Sequence, residues 1–192
     1  PSAQVSAERI NEVLDSVNDL VPGTVTTAPE TGTVEFRDVS FAYPGSPENQ
    51  LSHISFRLER GKTLAVIGAT GSGKSTLVGL IARFYDATEG TVLIDGVDVR
   101  DYAPDALYDR LGYVTQKAVL FSGSIEDNVL FGESAAGWTK ESADDAIEAA
   151  QAKEFVDKLP DGTDYRIAQL GRNVSGGQKQ RLAIARALAR EA

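Results

Sequence analysis

The 192 residues contain no cysteine, which excludes disulfide frameworks, thiolate metal sites and cysteine nucleophiles. The single histidine, His53, cannot build a multi-histidine metal site or divide two roles between imidazoles. Long apolar stretches are also lacking. Leu64 to Ala69 and Leu77 to Ala82 are the longest, far short of the ~20 residues that cross a bilayer, and no signal peptide opens the chain. The chain as given is expected to be soluble. Basic residues are outnumbered, 19 Lys+Arg against 28 Asp+Glu, and the net charge of -9 sets repulsion against a polyanion, so broad nucleic-acid binding is disfavoured. Methionine is absent, the first residue is Pro1, and the last residues, IARALAREA, stop inside a helical pattern without a Gly or Pro stop signal, so both ends are expected to be cut from a longer polypeptide. What is present suits one medium α/β domain with a real core: 42% hydrophobic and 24% charged residues, 18 Gly and 7 Pro.

Ile10, Val13, Leu14 and Val17 fall at i, i+3, i+4 and i+7, predicting an amphipathic helix over residues 6–20. Residues 21–32, with two Pro and two Gly among Thr and Ala, read as a linker or extended entry. The β-rich runs 34–41 and 54–58, separated by PGSPENQ, predict an antiparallel hairpin. A short strand is expected over 62–67, then a Gly-rich loop, then a helix over 75–84. A second hairpin turning at Asp95-Gly96 and a short strand over 112–115 follow. Residues 124–158 have helical composition, with Trp138 and the acidic run 141–148 as ordinary helix surface and packing, and Pro160-Asp161-Gly162 makes a turn.

Gly68, Ala69, Thr70, Gly71, Ser72, Gly73, Lys74 and Ser75 satisfy G-x-x-x-x-G-K-[ST] between a predicted strand and a predicted helix. Glycines let the backbone wrap an anion closely, successive N–H groups and the helix N-terminus face it, Lys74 supplies charge at the β/γ-phosphates, and the Ser75 hydroxyl can ligate Mg²⁺. This phosphate loop, extended to Thr76, is the candidate ATP site. Alone it does not separate kinases, GTPases, motors and transporters.

A second set of motifs decides. FAYPG at 41–45, YVTQ at 113–116, and VSGGQ at 174–178 opening the run KQRLAIARALAR, taken in that order around the phosphate loop, resemble the nucleotide-binding domain of ATP-binding cassette transporters. The resemblance covers the chain after the linker. It implies that Tyr43 stacks on adenine, that Gln116 touches Mg²⁺ and the attacking water, and that Ser175, Gly176, Gly177 and Gln178 form the signature that closes on the γ-phosphate. Gln116 and Lys74 are thus the implied catalytic residues, and Ser75 and Gln116 the implied Mg²⁺ ligands. The residues themselves agree for the signature: Ser-Gly-Gly at a helix N-terminus is a second anion-binding device. One nucleotide fills the first device, so the second is best spent on a nucleotide held by another copy in a two-fold, head-to-tail dimer.

FSGSIEDNVLFG at 121–132 resembles exporters, where the surface behind the glutamine loop receives the transmembrane domain. The helix near the N-terminus resembles the exporter connector. Gln169 holds a place where many exporters have an acidic residue. Asp95 mimics a metal-binding strand end, but Gly96 follows instead of a Glu, so it reads as a turn residue. In the family the metal-binding Asp, the catalytic Glu and the switch His follow the signature helix, where this sequence has ended; His53 precedes the phosphate loop and cannot be that His. Lys179, Arg181, Arg186 and Arg190 read as a solvated basic face paired with acidic helices.

The expected architecture is α/β: a P-loop core with an antiparallel β-subdomain over 32–115, a connector over 1–31, a glutamine loop and α-helical subdomain over 116–174, and the signature with the start of its helix over 175–192. The expected function is ATP-driven export from the cytoplasmic face of the cell membrane, with Mg²⁺ and ATP as cofactors and a second nucleotide-binding domain and transmembrane domains as partners. Two rivals remain: a soluble cassette ATPase of DNA repair or translation, and a fragment that binds nucleotide without turnover.

Overall fold

The computed structural model describes residues 2–15, 20–132 and 139–190, which pack as two units, Pro1–Pro104 and Asp105–Ala192. In the first unit, α1 (Ser2–Leu14) begins earlier than its periodicity predicts. Its apolar stripe is exposed, Val13 at 73%. The segment that follows is extended and tied down. Val25 N donates to Asp101 O at 2.9 Å and Ala103 N to Val25 O at 2.9 Å, while Arg83 Nη2 donates to Val21 O at 2.7 Å.

The first hairpin forms as expected from β1 (Val34–Phe41) and β2 (Leu51–Leu58). After α2 (Lys74–Ile81) come β3 (Glu89–Ile94) and β4 (Val97–Asp98), completing an antiparallel sheet of order β2-β1-β3-β4. In a regular strand Phe36 and Val39 would face opposite sides. A shift of register between them, with Asp38 at φ 49°, turns both into the core, where each is almost fully buried. Asp95 (φ 53°) and Gly96 (φ 81°) take the two left-handed positions of the β3–β4 turn, which an Asp-Gly pair fills at least cost.

Two expected strands are not found. Residues 62–67 and 112–115 carry no β ladder among the described residues, and Ile67 is 92% exposed. A strand exists only through a neighbour's N–H and C=O groups, so apolar composition cannot create one without a partner.

The second unit contains α3 (Pro104–Tyr108, whose first residue belongs to the first unit), β5 (Gly123–Ser124), α4 (Ile125–Val129), α5 (Lys140–Ala149), α6 (Lys153–Val156), β6 (Arg166–Ile167) and α7 (Gly176–Ala189). Among the described residues, the expected continuous helical stretch over 124–158 is three short helices, of which α4 and α5 are started by their own side-chain caps, while α6 follows Ala152 without one. Ser124 with Asp127 and Thr139 with Ser142 form capping boxes that satisfy the otherwise orphaned N–H groups of α4 and α5. Trp138 lies outside the described residues. The core is built from Ile125, Val129, Ile147, Phe155, Val156, Ile167 and Leu182. Leu182 is wholly buried at its centre, and truncating it to Ala would cost about 2–5 kcal/mol.

Candidate nucleotide site

In the first unit, the loop 68–73 curls before the N-terminus of α2. Gly73 is the N-cap of α2 at φ 86°, and a Cβ there would stand 2.7 Å from Leu51 Cδ2 and 3.0 Å from Gln50 O, so both conformation and space demand glycine. Lys74 folds back over the loop: its Nζ donates to Gly68 O at 2.9 Å, Ala69 O at 2.7 Å and Ser72 Oγ at 3.3 Å. The ammonium is thus held at the loop by two carbonyl oxygens and a hydroxyl, neutral acceptors that an anion can improve upon. Gln50, which no sequence signal marked, braces the loop from the end of the first hairpin's turn by donating Nε2 to Gly71 O at 2.8 Å.

Ser75 is exposed, whereas Thr76 is buried and its Oγ1 lies 2.9 Å from the Tyr43 hydroxyl. Tyr43 leaves β1 at the edge of an aromatic cluster, with Phe41 and Tyr85 at 4.9 and 5.3 Å in edge-to-face contact. The ring is still about one-third exposed, so it retains surface against which a base can lie. Tyr43 and the phosphate loop are therefore joined at the N-terminus of α2.

Asp95 has a different occupation. Only 8% exposed, it accepts from Thr31 Oγ1 at 3.0 Å and from Thr33 N at 3.1 Å, binding the entry strap to the β3–β4 turn. Its carboxylate serves that turn, as its Asp-Gly context implied.

In the second unit, Gln116 is exposed in an irregular bend. Ser175 caps α7 in a capping box: Gln178 N donates to Ser175 Oγ at 3.3 Å and Ser175 N to Gln178 Oε1 at 2.8 Å. Gly176 and Gly177 have nothing within 4 Å of where a Cβ would stand, leaving the helix N-terminus open. Gln178 thus organises the turn, while the glycines leave room at it.

The expected pairing of the α7 basic face with acidic groups holds in part, at Arg190 with Asp109 and in the attraction of Arg181 for Glu154, but most of its hydrogen bonds go to backbone carbonyls. Lys179 Nζ donates to Leu170 O at 2.9 Å, Arg181 Nη1 to Gln151 O at 3.0 Å, and Arg186 to Val119 and Asn128; Arg190 forms an ion pair with Asp109 at 3.5 Å. Gln151 and Asn128 sit at the C-terminal ends of α5 and α4, where free carbonyls carry the negative end of the helix dipole and attract cations more specifically than distant acids do. Burial holds the Arg186 pKa below the ordinary guanidinium value. Asn128, also unmarked by the sequence, is buried among these contacts.

The family model described as ABC transporter matches residues 51–192. The chain is 45% identical over 186 residues to the ATP-dependent lipid A-core flippases of Aromatoleum aromaticum and Pseudomonas aeruginosa, covering 97% of this chain and 31% of each relative. It is similar in structure to a bacterial Atm1-family ABC exporter solved with ATP bound, with a TM-score of 0.82 and 32% identity, covering 98% of this chain and 33% of that one. The chain spans about a third of the length of the curated relatives it matches.

Proposed function

Because this chain belongs to the ABC transporter family, we propose that it is the nucleotide-binding domain of a membrane exporter, binding Mg·ATP and converting its binding and hydrolysis into transport. The observation that carries this reading is the phosphate loop: an ammonium seated on loop carbonyls before an open helix N-terminus, with Tyr43 joined to the same helix through Thr76. The cofactor-binding residues are Tyr43, Gly68 to Thr76 and, for the nucleotide of a second copy, Ser175 to Gln178. Lys74 and Gln116 serve turnover. The relatives export or flip across membranes, so the partners are transmembrane domains and a second nucleotide-binding domain in a head-to-tail dimer, and the working location is the cytoplasmic face of the cell membrane. The functional divisions at 31/32, 115/116 and 174/175 follow these roles.

Mg²⁺ fits the donors present. Ser75, in the first unit, offers an exposed hydroxyl, and Gln116, in the second, an exposed amide oxygen, each a hard oxygen ligand. When bound, the ion would offset charge developing on the phosphates. Lys74 would orient the β/γ-phosphates and the Gly-rich backbone would donate to them.

A second reading, nucleotide binding without turnover by these 192 residues alone, is favoured by the engagement of Asp95 in the turn. Asp95 is engaged with Thr31 and Thr33, and among the described residues no group of three or more His, Asp or Glu is arranged to hold a metal. Titration of ATP with Mg²⁺ into the wild-type chain and Lys74→Ala tests the binding reading. A loss of affinity in Lys74→Ala is expected; equal affinities would refute it. Phosphate release above the Lys74→Ala background then separates the two readings.

A further inference from the structure

The loop that carries Gln116 is held at both roots by the last turn of α7. Upstream, Gly112 approaches the α7 backbone so closely that a Cβ would stand 2.9 Å from Ala187 O. Downstream, the Arg186 guanidinium spreads over three acceptors: Nη1 donates to Val119 O at 3.1 Å, Nε to Asn128 O at 2.7 Å and Nη2 to Asn128 Oδ1 at 3.2 Å. The same cation lies over Phe121 and Phe131, 5.6 and 5.5 Å from their ring centroids, and these rings stack on each other at 4.3 Å. Only a planar fork of donors can reach these carbonyls together while covering two rings; a lysine ammonium would satisfy part of the set.

At its other end α7 begins at the Ser175 capping box. From Gly176, just after the Ser175 cap, to Arg186 the chain is continuous helix, a rod of roughly 15 Å at ~1.5 Å per residue, seated in the core by Leu182 and Ala185. No kink interrupts the rod, so what is fixed to one end is coupled to the other. The geometry points to Arg186 as a positioning residue that locks the Gln116 loop to the signature helix, so that Gln116 and the Ser175 turn approach or leave nucleotide as one body. This rests on the proposed roles of Gln116 and Ser175. Gly112 is the second half of the clamp.

Two measurements test it, and the first needs no nucleotide. Because the chain has no cysteine, the exposed residues Ser122 and Gln180 can be replaced by Cys, spin-labelled, and their separation measured by pulsed dipolar spectroscopy. A narrow distribution is expected with Arg186 in place, and one at least twofold broader in Arg186→Met and in Arg186→Lys, the second chosen because it keeps the charge and the apolar stem. Unchanged widths in both would overturn the clamp. The second measurement is Mg·ATP turnover by the full-length protein that contains this chain, in lipid nanodiscs. Arg186→Met and Gly112→Ala should each lower kcat about tenfold with the KM for ATP within twofold of wild type, because the phosphate loop belongs to the other unit, and Arg186→Lys should not restore it. Unchanged kcat, full rescue by Lys, or a KM that rises as kcat falls would each overturn the positioning role. Absence of turnover in the wild-type protein would instead refute the proposed function, leaving the spin-label widths to judge the clamp.

Discussion

Asn128 is the polar centre of the second unit, and replacing it is the sharpest test of how that unit is held together. At 1% exposure its amide makes four hydrogen bonds. Nδ2 donates to Phe121 O at 2.9 Å and to Ser124 O at 2.9 Å, while Oδ1 accepts from Phe121 N at 2.8 Å and from Arg186 Nη2 at 3.2 Å. Three are neutral, worth about 1 kcal/mol each, and the fourth involves a guanidinium, worth about 1.5–3 kcal/mol. Asn128→Ala removes all four and leaves buried partners behind. A water entering the vacated space can re-form about half of them, so a loss of roughly 3 kcal/mol is expected. The assay is urea unfolding followed by circular dichroism, with the slope checked against wild type to show that the same surface is exposed. Asn128→Asp separates hydrogen bonding from shape. Near neutral pH its carboxylate faces the Phe121 and Ser124 carbonyls in place of a donor, and stability should fall; on acidification the protonated acid can donate to one of them, narrowing the deficit relative to wild type. A loss below about 1 kcal/mol in Asn128→Ala, with no narrowing on acidification in Asn128→Asp, would refute the assignment of Asn128 as the organising group.

Removing the Tyr43 ring as Tyr43→Ala should weaken ATP binding by about 1 kcal/mol, near fivefold, while Tyr43→Phe, which keeps the ring and loses only the contact with Thr76, should stay within about twofold by calorimetric titration. Asp95→Ala should cost about 2 kcal/mol by loss of one buried and one part-buried hydrogen bond, whereas Asp95→Asn, which still accepts both and tolerates φ 53°, should cost little; neither should change Mg²⁺-dependent nucleotide affinity. The Asp127 pKa is lowered, first by the hydrogen bond from the Ser124 backbone N–H and then by the Ser124 side chain. Its contribution to stability is therefore complete above the unfolded carboxylate pKa and is lost as pH falls through the lower folded value; Asp127→Asn should flatten the acid limb of a stability–pH curve. Ser124→Ala, which removes the other half of that capping box, should cost about 1 kcal/mol in urea unfolding.

Features whose cause lies within a few residues were legible in the sequence. The Asp95-Gly96 turn, the Gly-rich phosphate loop before α2 and the Ser175 cap each depend on a backbone conformation or a hydrogen bond closed over three or four positions, so their residue types suffice to announce them. Family membership was legible for the same reason, since the motifs that carry it are short and ordered along the chain. Features whose partner is remote were not. Residues 62–67 and 112–115 have strand composition, but a ladder is a property of two segments, and among the described residues neither has a neighbour to pair with. The basic residues of α7 were given carboxylate partners by charge counting, and Arg190 has one in Asp109. To Lys179, Arg181 and Arg186 the fold brings the carbonyls at the ends of α4 and α5 and the Leu170 carbonyl, hydrogen-bond acceptors that every residue possesses and no composition reveals. Tertiary structure also determined that Tyr43 meets Thr76, 33 positions away, and that Arg186 meets Asn128, 58 positions away. Local sequence specifies which conformations and donors are available; only the packed chain decides which acceptors come within 3 Å of them.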